Sequence, residues 1–269
     1  MMFSQYLNEV KIFVKSIIQW ILLLLIFTIF FFTFGLKEVT VFGKTFLFAL
    51  PTLQAGSSFS VGIFNYMTAD LIPSGVTLIV TNPLTAFIAQ AKIALLLSFI
   101  FTLPFLIYKL LMYFSPALYK QEKMSVLKIA FPSAFLFILG SLFAYFVIIP
   151  PTFSILYSYT SSIGATPYFT VNEFVSLVLA LVIATGVMFL LPIFMILLSY
   201  FGIISRNFWS ENWRYAVLIF LIISAIITPD GSGVTMVLLS LPMTGLYGVG
   251  IIFSRKISVD SRSIGIHNS

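Results

Sequence analysis

Of the side chains able to move protons, hold metals or attack carbonyls, this sequence offers eight carboxylates, one histidine and no cysteine. The missing cysteines remove disulfides, thiolate chemistry and cysteine-ligated metals. The histidine, His267, sits in the C-terminal tail, the usual place for one without a role. Serines are plentiful but have no base nearby to activate them. The carboxylates stand singly, so neither a metal site nor a general acid–base pair can be assembled. No glycine loop of the phosphate-binding kind occurs. The residues describe a chain that is not an enzyme and needs no cofactor.

What chemistry remains is electrostatic. Glu9 lies in "YLNEVKIFVK", an amphipathic approach to a long apolar run, and Glu122 in "FSPALYKQEK", between Lys120 and Lys123. Each reads in two ways. A solvated interfacial acid paired with a neighbouring lysine is the commoner fate of such a residue. The alternative is that both acids form a docking site for a cationic peptide, arginine above all, whose planar fork binds a carboxylate in a bidentate way.

The elements that must position these acids are membrane helices. Sixty per cent of residues are hydrophobic, 8% are charged and the mean hydropathy is +1.12. A soluble domain carries about 25% charged residues, so this chain belongs in a bilayer. A helix needs about 20 mostly apolar residues to cross the hydrocarbon. On that basis we expect an all-α membrane protein, read as one domain over 1–269, with six spans near 16–36, 85–113, 129–150, 173–202, 213–228 and 234–253. The third is expected to stop at Pro150 and Pro151, since tandem prolines break a helix. The fourth is expected to begin at Thr170 and Glu173, which stand at capping-box spacing. Lys92 and Lys109, near the two ends of the second span, are placed to snorkel to the interface. "TPDGSG" reads as a tight turn joining a short fifth span to the sixth.

Orientation follows from the basic residues. With both termini inside, eleven lysines and arginines fall on inner segments and three on outer ones, a strong positive-inside bias. The first outer loop, Lys37–Leu84, has apolar segments of its own and reads as a structured cap of short strands and helix. The basic residues cluster beside the spans, which explains the net charge of +6 without a nucleic-acid partner. None of the acids falls in mid-membrane, where ion-coupled transporters usually keep an ionisable residue.

"FSPALYKQEK" closely resembles the first cytoplasmic loop of TatC, the core subunit of the twin-arginine protein translocase. The resemblance runs along nearly the whole chain. "YLNEVK" looks like the family's N-terminal segment, and "IYKLLMYFSPALY" like the end of its second helix. "GSLFAYFVIIPPTFSIL" is similar to its third helix and the exit from it, and "GVMFLLPIFMILL" with "SYFGIIS" to its fourth. "WRYAVL" resembles the start of its fifth helix, and "ITPD" with "LLSLPMTGLYGVGIIFSR" its final hairpin. Four positions depart from the pattern, one being the final hairpin, which lacks a second adjacent proline before Asp230. Leu190 stands where the family often has an intramembrane glutamate or glutamine, Gly248 where many members have a glutamate, and Tyr113 where phenylalanine is frequent.

This likeness implies six helices in a concave arrangement with inner termini. It implies recognition of a twin-arginine signal peptide by Glu9 and Glu122, with Tyr113, Pro116, Leu118, Tyr119 and Lys120 around them. It implies single-span TatA- and TatB-type subunits packed along the last two helices near Thr228, Pro229, Asp230, Pro242 and Tyr247, in an oligomeric complex surrounded by membrane lipids. Export of folded cargo would draw on the proton gradient. The membrane would be the bacterial cytoplasmic membrane or a mitochondrial or plastid inner membrane. The rival readings are a small-solute secondary transporter, and an insertion or assembly factor without twin-arginine preference.

Overall fold

The computed structural model describes the backbone of residues 2–41, 44–51, 58–72, 76–114, 123–164, 168–200 and 203–264; side chains at 1–10, 12–13, 36–50, 110–130, 200, 206 and 255–269 lie outside the description. Among the described residues, five helices are long and apolar enough to cross a bilayer, and Trp213–Ile227 is a shorter apolar sixth. The chain, which reads as one domain in sequence, divides into two compact units, Met1–Ala134 with Thr166–Leu179, and Phe135–Ala165 with Ala180–Ser269.

The first unit is built on α1 (Met2–Thr33) and α3 (Pro83–Phe114). They pack antiparallel. Trp20 meets Phe99 edge-on, Phe27 stacks on Phe101, and Phe32 meets Phe87 at 5.1 Å. Ile18, Leu22, Ile26 and Ile29 on the other side of α1 stay exposed, a face that suits lipid as solvent. Inside α3 the fully buried Ser98 and Thr102 donate to the carbonyls of Ala94 and Ser98, both at 2.8 Å. Turning a hydroxyl back onto its own helix hides it from hydrocarbon.

Between these helices the chain forms short strands and a helix. A hairpin pairs β1 (Phe34–Val41) with β2 (Lys44–Pro51), followed by α2 (Phe59–Leu71). Then β3 (Thr77–Ile79) pairs in parallel with β4 (Tyr168–Thr170). Gln90 of α3 donates to Ser58 Oγ at 2.8 Å, tying down the start of α2.

The second unit takes the remaining helices, sharing with the first unit the one at 123–143, which it enters at Phe135, and the one at 171–189, which it enters at Ala180. In the third span the helical path does not stop at Pro150. The helix α4 (Lys123–Phe143) runs into a π-helical turn, Ala144–Ile148, and continues as α5 (Ile149–Ser162). Prolines break helices because they lack an N–H and crowd the carbonyl four residues back. The π turn shifts the register, Ile149 N–H bonding to Ala144 O, so both prolines enter at the first turn of α5, where no N–H is needed. The fourth span is also interrupted. Pro192 cannot bond to Met188, so α6 (Val171–Phe189) ends at Leu190 and α7 (Leu191–Tyr200) begins afresh. At the other end, Thr170 and Glu173 form the expected capping box, Glu173 N–H donating to Thr170 Oγ1 at 3.2 Å and Thr170 N–H to the Glu173 carboxylate at 3.4 Å.

A short α8 (Arg206–Glu211) precedes α9 (Trp213–Ile227) and the long α10 (Gly233–Ile264). Fifteen residues give α9 a length of about 22 Å, well short of a hydrocarbon core of about 30 Å. The unit's packing depends on glycine. Gly140 faces Phe189, Gly186 faces Phe137, and Gly250 faces Met195 and Pro192.

Candidate functional site

At one end of the first unit, Lys109 Nζ of α3 donates to Gln19 Oε1 of α1 at 3.2 Å and lies over the Phe105 ring. This bond places the N-terminal half of α1 and the C-terminal end of α3 at the same end of the pair. From Gln19, α1 runs back past Glu9, about 15 Å along the helix axis. From Lys109, α3 runs on to Phe114, and the chain leads through "SPALYKQE" to α4. Glu9 and Tyr113 thus belong to described helices, though their side chains lie outside the description. Pro116, Leu118, Tyr119, Lys120 and Glu122 lie outside the described residues altogether.

The second expected group divides along the α9–α10 hairpin. At the turn, Thr228 is buried and donates to Ser224 O at 2.9 Å, while Pro229 is exposed. Asp230 is only 4% exposed and anchors hydroxyls at the start of α10. It accepts from Thr235 Oγ1 at 2.7 Å and from Ser232 Oγ, and Gly231 supplies the positive φ of 60° the turn needs. Pro242 lies inside the first third of α10 and Tyr247 about 7.5 Å further along. The Tyr247 hydroxyl donates to Trp209 O at 2.6 Å, and its ring meets Trp209 and Phe220 edge-on. The Trp209 indole in turn donates to Ser199 Oγ at 2.8 Å. The turn residues and Tyr247 form separate sites at opposite ends of the hairpin's apolar length.

Two further features were hidden in the sequence. Lys92 does not snorkel freely. It donates to Asn172 Oδ1 and Ser176 Oγ, both at 2.7 Å, and so ties α3 to the first turns of α6. The α8 segment is pinned between α7 and α10 by the Ser199–Trp209–Tyr247 chain. The first might have been suspected from a lysine inside an apolar run; the second leaves no local mark. Leu190 is buried at the α6–α7 break, and a Cβ built on Gly248 meets nothing within 4 Å. Among the described residues no three His, Cys, Asp or Glu side chains gather as a metal site would need.

Residues 9–242 match the family model described as "Sec-independent protein translocase protein (TatC)". The chain is similar to the Sec-independent protein translocase protein TatC of Cenarchaeum symbiosum (strain A), 34% identical over 265 residues, 98% of each chain. It is also similar to an uncharacterized tatC-like protein, ycf43, of Porphyra purpurea, 33% identical over 178 residues, covering 66% of this chain and 70% of that one. Among solved structures it resembles a crystal structure of the twin arginine translocase receptor TatC, with a TM-score of 0.68 and 28% identity over 93% of this chain and 99% of that one.

Proposed function

The chain belongs to the TatC family of Sec-independent protein translocase proteins, and from that premise we propose that it is the subunit which receives the twin-arginine signal peptide of a folded cargo protein. As a family member it is a multi-pass integral membrane protein of a bacterial or organellar membrane and a component of a twin-arginine translocase rather than of a known enzyme class.

The proposed receptor is the acid pair Glu9 and Glu122. Two guanidinium groups arriving in tandem each find a carboxylate, in a setting that protein and lipid headgroups partly desolvate, where charge-assisted bidentate bonds are strongest. The observation that carries the reading is the Lys109–Gln19 bond, since it supports a common end for the helix bearing Glu9 and the helix leading to Glu122. Both termini lie on the inner side in this reading, which the distribution of lysine and arginine favours. Single-span TatA- and TatB-type subunits pack beside α9 and α10, and the short α9 suits a locally thinned bilayer. Transport draws on the proton gradient.

Photo-crosslinking of a twin-arginine peptide to the full-length protein in its membrane tests the receptor. Glu122→Lys should abolish the crosslink while the protein stays inserted, and Glu9→Ala with Glu122→Ala should lose more than either alone. A Lys-Lys peptide should compete far less well than Arg-Arg. Crosslinking that Glu122→Lys leaves unchanged overturns the role.

A further inference from the structure

The π turn Ala144–Ile148 admits two prolines to the third span, but it leaves carbonyls behind them without donors. In a regular helix Phe146 O accepts from residue 150 and Val147 O from residue 151, and both of these are prolines. The Ile149 N–H already bonds Ala144 O. For Phe146 the π register supplies nothing either, because the residue five further on is Pro151. The Thr152 hydroxyl donates to Ile148 O at 2.7 Å, and among the described residues no side chain donates to Phe146 O or Val147 O. Ala144 and Ile148 point into the unit and are fully buried, whereas Phe146 and Val147 point outward, 60% and 37% exposed. Pro150 and Ser154 are exposed beyond them. Phe146 is at the middle of the apolar run Phe131–Ser162, about 22–24 Å of helix from either end.

We propose that the outward face of this turn binds a transmembrane helix of another protein, one that carries a hydrogen-bond donor at mid-depth such as a glutamine, serine or threonine side chain. Unbonded carbonyls in hydrocarbon are costly, so a donor brought by a neighbouring helix gains more there than an apolar contact does. Depth sets the source of that donor. A hydrocarbon core about 30 Å thick keeps water and headgroups roughly 15 Å from its centre, which leaves another membrane helix to supply it. A second copy of this chain is poorly equipped. Its exposed positions near the middle of other spans are apolar, among them Leu22, Ile26, Leu95, Phe101, Ile222 and Leu241. The exposed Ser154 lies about 10–12 Å further along the axis than Val147 and Phe146, so a copy in the same orientation presents it at another depth. Val147, Pro150 and Ser154 are short side chains, which lets a partner's backbone come close to the carbonyls.

The chain has no cysteine, so Leu142→Cys, at an exposed position one turn before Phe146, takes a single bimane label. In nanodiscs of the full-length protein the probes are leucine helices of about 20 residues, each with a tryptophan quencher beside a central glutamine or a central leucine. The glutamine helix should quench bimane at a mole fraction roughly tenfold lower than the leucine helix, the ratio expected for one hydrogen bond between helices in lipid. Moving the glutamine two turns toward either end should remove the advantage. Pro150→Ala with Pro151→Ala gives Phe146 O an N–H in either register, so this variant should lose the advantage while the leucine helix quenches as before. Circular dichroism checks that the variant is folded, and the comparison of probe helices on the starting protein needs no variant of the site. Equal quenching by the central-glutamine and leucine helices overturns the proposal, as does an advantage that survives both proline changes in a folded protein. An advantage that disappears when two copies share a disc also overturns it and assigns the face to a second copy.

Discussion

Lys92 Nζ lies 2.7 Å from Asn172 Oδ1 and 2.7 Å from Ser176 Oγ, so an ammonium at the edge of an apolar span is held by neutral oxygens alone among the described residues. Hydrogen bonds to a charged group are worth about 1.5–3 kcal/mol, and a charge stripped of its partners costs more than the bonds themselves. The two sides of the contact should therefore respond unequally. Asn172→Ala with Ser176→Ala leaves the cation in place without acceptors and should lower stability by about 2–3 kcal/mol. Lys92→Met removes the cation as well and should cost less, about 1 kcal/mol. Thermal unfolding of detergent-solubilised protein measures both, and a larger loss for Lys92→Met would show the lysine to be the favourable partner.

Asp230 is fixed differently, by hydroxyls of its own turn. Ser232 and Thr235 both donate to its carboxylate, and Thr235 Oγ1 reaches Oδ1 and Oδ2 at 2.7 Å each. Asp230→Ala takes the acceptor from the buried Thr235 hydroxyl and the half-buried Ser232 hydroxyl, a change of about 1–2 kcal/mol. Asp230→Asn keeps one acceptor and should recover about half of it. Hydrogen exchange in the first turn of α10 is the local readout. Faster exchange should be confined to residues 231–237, and uniform acceleration along α10 would refute a local anchoring role.

What the sequence made legible was whatever depends on neighbours along the chain. Hydropathy located the spans because a bilayer imposes length and apolarity on each helix separately. The Thr170–Glu173 box was legible because both partners lie within one turn. Lys92 and Asn172 are 80 residues apart, so nothing local joins them, and Lys92 read as a residue bound for the headgroups. Pro150 and Pro151 read as a stop because the rule considers only an α register, and the π turn at Ala144–Ile148 lies outside it. The α6–α7 break at Leu190 escaped notice because Pro192 sits in an unbroken apolar run. Of the candidate site, Glu9 and Glu122 were named by resemblance and their side chains lie outside the described residues, whereas the Ser199–Trp209–Tyr247 chain joins three helices and has no sequence signature.

Tyr247 and Trp209 test whether α8 is pinned as the geometry indicates. Removing the hydroxyl with Tyr247→Phe leaves the ring contacts and deletes the 2.6 Å bond to Trp209 O, a loss of about 0.5–1.5 kcal/mol. Its effect should be concentrated in α8, where Arg206–Glu211 should become several-fold more accessible to a protease while the global unfolding midpoint moves little. A protease pattern unchanged by Tyr247→Phe would mean that α8 is held by its flanking chain instead.

Gly186 and Gly140 of the second unit offer a sharper test, because their neighbours differ in kind. A Cβ on Gly186 would come within 2.7 Å of Phe137 Cε2, and its three nearest atoms all belong to the Phe137 ring. A Cβ on Gly140 would lie 2.7 Å from Phe189 Cγ and also 2.9 Å from Thr185 O, a backbone atom that cannot move aside without bending α6. Overpacking of this sort costs about 1–3 kcal/mol, and both Gly→Ala variants should fall in that range. Their rescue should diverge. Phe137→Leu clears the ring from Gly186→Ala, so the double variant should be more stable than the sum of the single changes predicts. Phe189→Leu leaves the Thr185 carbonyl where it was, so Gly140→Ala should remain destabilised. Unfolding midpoints of the four single and two double variants decide it, and equal rescue at both positions would mean that side chains alone set the closeness of the helices there.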